Sequence, residues 1–392
     1  MGDIPESLRA LAETGVALAR RTACGRVVFA KLAGVLHPDL LPEVLLGPVR
    51  AELDAALAAT AVELDAKTVE RALKAAWRRP ADRVLADGVA PEPLAVTPTA
   101  QVHAGVLDGE PVAVKLARPG LAAAVRGELA LLDVLGGPLA AAFPALDAAA
   151  ALRALREAAL DELDLEHEGD QQQRARRALR RVDGVVVPAV HGELSAGDVL
   201  VTERLEGPTL AEAAPADAEA TARHLVAAHV AAWREAGLVL TDTRPSHVIL
   251  LADGRTGLLG TGVARPAPRE RAAATAAAFV ALADPGPDAF AEVVADELAV
   301  LDAAAAREAH GVLRAVLGPV LEGPYRLDGP ALAALGARAQ QQAGALLAIA
   351  ARATPEPADL AAARAFGQLA ATLSRLAPEL DWVALARDAS AT

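Results

Sequence analysis

The chain is poor in several kinds of residue, and each shortage narrows what it can be. It has five Phe, three Trp and one Tyr among 392 residues, so its core must be built from Leu, Val and Ala. Its single cysteine, Cys24, permits no internal disulfide and no thiolate metal cluster. Charged residues interrupt every alanine-rich stretch before it reaches the roughly 20 apolar residues of a membrane span. The acidic start of the chain has no secretory signal. These features predict a soluble, cytoplasmic protein.

The charged residues exclude a nucleic-acid partner. Because lysine is rare among them, each lysine is a candidate for a specific role. The net charge is −13 and the basic residues are interspersed with acids, which is not a nucleic-acid footprint. One basic helical stretch, 174–181, leaves open a peripheral contact with acidic lipid headgroups or a partner, although a solvated helix face is the simpler interpretation. The chain has only four lysines: Lys31, Lys67, Lys74 and Lys115. Because ammonium and guanidinium are not interchangeable, a lysine in such a chain suggests a specific role.

Hydrophobic periodicity predicts alternating helical and β-rich regions. Helices are expected over 5–80, 119–135, 147–181 and 216–236, and from about 267 to the end. Strands are expected over 94–97, 100–107 and 111–117, and again in the segments VVVPAVHGEL and DVLVTERLEG. Hairpin turns are predicted at Asp108–Gly109 and Asp253–Gly254, and Gly237 is predicted to end the helix before it.

Four segments carry candidate chemistry in the order expected of a protein kinase. A strand ends in VAVK, a helix carries ELDLEHEG, a strand continues into VLVTERLEG, and a loop reads VLTDTRPSHVILL before a hairpin. Lys115 of VAVK would present a positive charge to nucleotide phosphates, and a helix glutamate would hold it. Glu162 and Glu168 lie six residues apart, so they share no narrow helical stripe unless the helix breaks between them.

Over about residues 26–265 these segments resemble the UbiB/ABC1 (AarF/ADCK) family of atypical kinase-like ATPases. That family has an alanine-rich loop of the type AAASIGQVH before VAVKV, a helix reading ELD, and a catalytic segment FHADPHPGNILV. The resemblance implies an α+β, two-lobed protein-kinase-like fold. It divides the chain into an N-terminal helical extension (1–90), a β-rich kinase-like N-lobe (91–206) and an alanine-rich helical C-lobe (207–392).

The resemblance also assigns a nucleotide site for ATP or ADP. Lys115 is implied to contact the phosphates, and Glu168 to be its ion-pair partner. Pro98 replaces a usual serine in the loop over the phosphates. The remaining residues implied to bind nucleotide, through that loop or the hinge, are Ala95, Thr97, Thr99, Ala100, Gln101, Glu203 and Leu205.

Three further family motifs have counterparts. Asp242 matches the catalytic aspartate, and Glu162 and Asp164 match the family's ExD pair. Lys31 is what remains of an N-terminal KxGQ signature that shields the active site in the family.

The usual metal ligands are missing. His247 stands where the resemblance places an Asn ligand, and Gly260 stands where it places the Asp of a DFG-like motif. Mg²⁺ prefers oxygen ligands, which neither residue supplies as a side chain of the right kind. Losing one electrostatic contributor to a transition state costs about 10²–10³-fold in rate. Mg²⁺ is therefore not expected to be held in the usual way, and conventional turnover is not expected.

The sequence favours a degenerate member of the family, a pseudokinase that binds nucleotide weakly or not at all. Such a chain would be a regulatory or scaffold partner of another protein, an intact homologue being one candidate. The resemblance points to isoprenoid-lipid or quinone-related metabolism. The alternative is an active ATPase or small-molecule kinase that uses Asp242 with unconventional metal ligation. A third reading is a scaffold that binds no nucleotide and offers its alanine-rich helices to a partner.

Overall fold

The computed structural model describes residues 6–33 and 62–390, with side chains for 6–28 and 62–390. The helices are α1 Glu6–Arg21, α2 Ala23–Ala33, α3 Ala66–Trp77, α4 Leu121–Glu128, α5 Gly136–Ala142, α6 Ala148–Asp161, α7 Leu165–Leu179, α8 Ala218–Ala236, α9 Arg269–Leu282, α10 Asp288–Glu292, α11 Ala303–Leu321, α12 Gly329–Gln341, α13 Ala343–Ala350, α14 Pro357–Leu373 and α15 Trp382–Ser390. The strands are β1 Val89–Val96, β2 Ala100–Leu107, β3 Glu110–Ala117, β4 Val185–Val186, β5 Val199–Glu203, β6 Leu238–Val239, β7 Val248–Leu250, β8 Thr256–Leu258, β9 Arg265–Pro266, β10 Pro324–Arg326 and β11 Glu379–Asp381.

Four antiparallel strands form a sheet in the order β1-β2-β3-β5. The predicted hairpin between β2 and β3 is confirmed, because Asp108 and Gly109 both have positive φ, as a two-residue hairpin turn requires. Along β3, alternate residues Val112, Val114 and Leu116 are buried. They pack in one cluster with apolar residues of α3, which therefore covers one face of the sheet.

The N-terminal helices pack against helices that follow the sheet in the chain. Leu18 of α1 and Val27 of α2 share a buried cluster with Val125 of α4, Leu132, and Leu152 of α6. The single helix predicted over 119–135 is wrong in its second half, since α4 ends at Glu128 and a 3₁₀ segment, Leu129–Leu135, follows. The boundaries at 90/91 and 206/207 stay predictions.

The C-terminal part is built around α8, which begins two residues later than predicted and ends as expected at Gly237 with φ +63. Hydrophobic residues of α7, α8, α12 and α14 share one buried cluster with strands β6 to β8. The hairpin predicted at Asp253–Gly254 joins β7 to β8. The helical prediction from 267 onward missed a short antiparallel pair, β10 with β11. Both strands are three residues long and lie far apart in sequence, so no local turn signal announces them.

A fold of mixed helix and sheet is thus confirmed. Among the described residues, no helix combines the length and the apolar character that crossing a membrane requires.

Candidate functional site

Lys115 and Glu168 form a close ion pair. The Lys115 Nζ lies 2.6 Å from both carboxylate oxygens of Glu168. Lys115 lies in β3, where it is paired with Val102 of β2 on one side and with Leu200 of β5 on the other. The lysine side chain is 27% exposed and the glutamate 10%. The structure therefore brings together the two residues that the sequence paired, while their contact with nucleotide stays a prediction.

Glu168 reaches Lys115 because the long helix predicted over 147–181 is in fact two helices. α6 ends at Asp161, and Asp164 caps α7 by accepting hydrogen bonds from the backbone N–H groups of Glu166 and His167, both at 3.0 Å. An N-cap residue leaves the helical conformation, so the chain turns between the two helices. Glu162 is buried at this break and Asp164 is exposed. The two acids of the ExD pair therefore lie in different environments, and Asp164 has a structural role as the N-cap of α7.

A glycine lets the segment after β8 approach the ion pair. A Cβ on Gly262 would lie 2.4 Å from Cγ and 2.6 Å from the backbone oxygen of Glu168. No side chain fits at that distance from backbone, so the 3₁₀ turn Thr261–Val263 can pack on α7 only with glycine here.

The loop predicted to cover phosphates is a tight turn between β1 and β2. Thr97 Oγ1 donates to the carbonyl of Ala100 and accepts from its N–H, both at 2.9 Å. Arg118 Nε donates to the Thr97 carbonyl at 2.8 Å. Ala95 lies in β1 opposite Val102. The hydroxyl oxygens of Thr97 and Thr99 lie 3.5 Å apart. Hydrogen bonds of the Thr97 and Arg118 side chains thus stabilise the turn.

The side chain of Gln101 is engaged within the fold, and its predicted place in the nucleotide site stays a prediction. It is fully buried, its Oε1 accepts from Leu64 N at 2.7 Å, and its Nε2 lies 2.9 Å from His103 Nε2. His103 Nδ1 in turn lies 2.7 Å from the carbonyl of Ala90. The amide therefore ties the segment before α3 to the sheet. Sequence reasoning grouped Gln101 with its neighbours in the loop and had no means of seeing this long-range contact.

The two residues of the predicted hinge, Glu203 and Leu205, already make contacts within the fold. The N–H of Glu203 donates to Ala189 O at 2.8 Å, and its carboxylate accepts from Ala189 N at 3.1 Å. Leu205 Cδ1 lies 2.6 Å from the position of a Cβ on Gly257, so this side chain packs on β8. Adenine recognition by these residues stays a prediction. The side chain of Lys31 lies outside the described residues.

Asp242 lies in the loop between β6 and β7 and is 5% exposed. Its Oδ1 is 3.1 Å from Arg244 Nε, and its Oδ2 accepts from Arg244 Nη2 at 3.2 Å. His247 Nδ1 lies 3.4 Å from Oδ2 and 3.0 Å from the backbone oxygen of Asp242. The aspartate predicted to be catalytic is therefore surrounded by cationic and imidazole groups of its own loop.

Gly260 cannot be exchanged for a metal-binding side chain without moving its neighbours. Its φ is +67, and a Cβ there would lie 2.6 Å from His247 Nδ1 and 3.0 Å from Asp242 O. His247 thus fills the space where a DFG-like aspartate would begin. No group of three or more His, Cys, Asp or Glu suited to a metal occurs in the described part of the chain. The Mg²⁺ that the resemblance implies does not fit these residues, because the oxygen ligands it requires are missing from both positions.

A buried network supports the loop that carries Asp242. His229 Nε2 lies 3.1 Å from Thr243 Oγ1, and its Nδ1 lies 2.8 Å from Leu225 O. Thr372 of α14 donates to the Thr243 carbonyl at 2.7 Å. Burial lowers the pKa of His229, which favours the neutral ring. His229 therefore acts as a structural residue.

Sequence reasoning missed Arg244, which contacts Asp242, and Arg364, whose charge interacts with that of Asp242. Arg244 is only two residues away and was visible in TDTRP, but α14 brings Arg364 from more than a hundred residues further on. Burial lowers the pKa of Arg364, and the charges of Asp242 and Glu162 oppose that lowering without overcoming it. No local pattern in the sequence indicates that interaction.

A model of the ABC1 atypical kinase-like domain matches residues 56–294, more than half of the chain. The chain belongs to this family. AarF domain-containing protein kinase 1 of Mus musculus is 34% identical over 116 residues, which are 29% of this chain and 22% of the mouse protein. A probable protein kinase UbiB of Marinobacter nauticus is 28% identical over 191 residues, 47% of this chain and 34% of that protein. The match thus spans about a third of these relatives' length or less.

The fold has a solved counterpart. The structure of an Rv3197–erythromycin complex from Mycobacterium tuberculosis superposes with a TM-score of 0.64 at 22% identity. It covers 86% of this chain and 85% of that one. At this identity the likeness concerns the fold, and it confirms the kinase-like α+β architecture expected of an ABC1 chain.

Proposed function

We propose that this ABC1 chain is a pseudokinase, which binds ATP or ADP weakly and without a metal ion, or not at all, and acts by regulating or scaffolding a partner protein. One observation carries the proposal. His247 occupies the space above Gly260, so the two positions expected to supply metal ligands supply an imidazole and a hydrogen atom instead. Phosphoryl transfer depends on a metal and fixed charges to neutralise the developing negative charge, and this arrangement lacks the ligands for one.

The side of the site that would face nucleotide phosphates supports the binding part of the proposal. Lys115 keeps solvent access while paired with Glu168, so it can face an anion. The turn Thr97–Ala100 is held in shape by its own hydrogen bonds, which would reduce the ordering cost of closing over a ligand. Neither feature requires a divalent ion.

The partner and its setting are inferred from the resemblance. An intact homologue of this chain is the partner that we propose, in the cytoplasm and in isoprenoid-lipid or quinone-related metabolism. The competing function, an active ATPase or small-molecule kinase that uses Asp242, requires an unconventional metal site that Glu162 or Asp164 would have to complete.

Calorimetric titration of ATP and ADP, with and without Mg²⁺, tests the proposal when combined with a phosphate-release assay. We expect no turnover, and any binding to be insensitive to Mg²⁺ and lost in Lys115→Met. Lys74→Met is the matched control, because Lys74 is exposed on α3. Turnover that requires Mg²⁺ and disappears in Asp242→Asn would contradict the pseudokinase and establish the competing enzyme. Absence of all binding would leave the scaffold alone.

A further inference from the structure

The turn between β1 and β2 is tied to the end of β3 by one residue, Arg118. Its backbone N–H donates to the carbonyl of Thr99 at 3.0 Å, and its side-chain Nε donates to the carbonyl of Thr97 at 2.8 Å. The preceding residue, Ala117, is paired with Ala100 at the end of the turn. The guanidinium of Arg118 is therefore fixed to the turn that is predicted to cover phosphates.

The guanidinium of Arg118 has a charge and a donor group that the fold does not use. Its Nη2 is shielded from solvent and has no hydrogen-bond partner among the described residues. In that part of the chain no carboxylate forms an ion pair with it either. A cation that has lost water without gaining an anion costs free energy, and so does a buried donor without an acceptor. Both deficits would be removed by an anion with acceptor oxygens.

Arg118 differs in this respect from Lys115, which stands three residues earlier in the chain. The Lys115 Nζ lies 2.6 Å from both carboxylate oxygens of Glu168, so an acid of the fold already compensates its charge. Nucleotide phosphates carry several negative charges, which a kinase neutralises largely with metal ions. Where the metal ligands are missing, fixed protein cations have to take over that role. A guanidinium suits it, because its parallel N–H donors match phosphate oxygens.

We propose that Arg118 binds a phosphate group of ATP or ADP through Nη2, while its Nε holds the turn Thr97–Ala100 in place. The inference deepens the proposed function and rests on its binding part. Because Nη2 is shielded from solvent, neighbouring atoms have to shift before a phosphate oxygen can reach it. That rearrangement costs free energy and keeps the affinity low. Phosphate binding then depends on Arg118 and needs no divalent ion.

Saturation-transfer NMR on the adenine protons, with the full chain in EDTA, compares ATP with adenosine. Wild type is expected to bind ATP at least tenfold more tightly than adenosine. Arg118→Gln should weaken ATP binding at least tenfold and change adenosine binding less than twofold. Arg126→Gln is the matched control, because Arg126 is exposed on α4, and it should leave both affinities unchanged. Equal weakening of ATP and adenosine would show that Arg118 only supports the turn, and an unchanged ATP affinity in Arg118→Gln would also overturn the inference.

A second measurement needs only wild-type protein, so it decides the question even if Arg118→Gln does not fold. Addition of ATP or tripolyphosphate should shift the side-chain ¹⁵N resonances of Arg118 and leave those of Arg126 in place. Unshifted Arg118 resonances at saturating ATP, or no nucleotide binding at all, would overturn the inference and leave the pseudokinase as a scaffold. Mg²⁺-dependent turnover by wild type would instead contradict the proposed function and leave the Arg118 shift measurable. The two failures are therefore distinguishable.

Discussion

The candidate site has two sides. The nucleotide side is the pair Lys115 and Glu168, proposed to face phosphates, and the metal side is Asp242, His247 and Gly260, where the resemblance places the catalytic aspartate and the metal ligands. They differ in whether they need an ion from solution. On the nucleotide side, Lys115 and Glu168 satisfy each other at 2.6 Å. On the metal side, a kinase-type site gathers several acids that require a divalent ion, and without it their like charges would repel one another. In this chain Asp242 instead contacts Arg244 and His247, and Gly260 has no side chain. A self-sufficient ion pair can persist as part of the fold, whereas a cluster of metal ligands destabilises a fold that holds no metal.

Both sides are packed through glycine, but with different neighbours. Gly262 allows close approach to the backbone of Glu168, and Gly260 allows close approach to the ring of His247. The first contact fixes the ion pair against the loop after β8. The second places the ring of His247 where the side chain of a metal-binding aspartate expected from the resemblance would begin. Substitutions of Gly260 and Gly262 therefore test whether the site merely lacks a metal ligand or whether protein atoms also fill the space that the ligand would need.

The largest effect is expected from restoring the missing aspartate. Gly260→Asp places a Cβ 2.6 Å from His247 Nδ1 in a backbone with φ +67, so it should destabilise the fold by about 2–4 kcal/mol from strain and overpacking. Denaturant unfolding measures this, and adding His247→Ala should recover about half by removing the clash. Gly254→Asp is the control for backbone strain alone, since Gly254 has φ +83 and nothing within 4 Å of its Cβ position. Equal losses at both glycines would mean that His247 does not close the metal position.

Breaking the nucleotide-side ion pair should have a smaller, asymmetric effect. Lys115→Met leaves the more buried Glu168 without its cation and should cost about 2–3 kcal/mol. Glu168→Gln leaves a lysine that still reaches water and should cost about 1 kcal/mol. The double variant should be more stable than Lys115→Met alone. Lys74→Met, on an exposed face of α3, is expected to change the free energy of unfolding by less than about 0.5 kcal/mol.

Thermal or denaturant unfolding of these variants tests whether the pair is a unit of the fold. If Lys115→Met were as stable as wild type, the pair would add nothing to the fold. The comparison of the two sides would then lose its physical basis.

The sequence predicted the contact of Lys115 with Glu168 better than it predicted the surroundings of Asp242, for physical reasons. Lys115 and the β2–β3 hairpin follow from local alternation and turn residues, and Glu168 follows from a recognisable helix segment. The N-cap role of Asp164 also has a local signal, because Asp before an acidic first turn marks the start of a helix. Arg364 and the contact of Gln101 with Leu64 depend on tertiary packing of distant segments. No periodicity or spacing within either segment encodes such a contact.

Asp164 begins the helix that carries Glu168, and the smallest expected effect comes from its role as the N-cap. As an N-cap that accepts from two backbone N–H groups, it should tolerate Asp164→Asn, while Asp164→Ala should cost about 1 kcal/mol. Asp302→Ala is the matched control, because Asp302 caps α11 by accepting from Ala305 N at 2.8 Å and is remote in sequence from every family motif. Denaturant unfolding should give similar losses for the two alanine variants. If Asp164→Asn changed nucleotide binding in the calorimeter while the Asp302 variant did not, Asp164 would belong to the binding site as well as to the helix. An alanine variant without any loss of stability would remove the capping role that the geometry of α7 assigns to it.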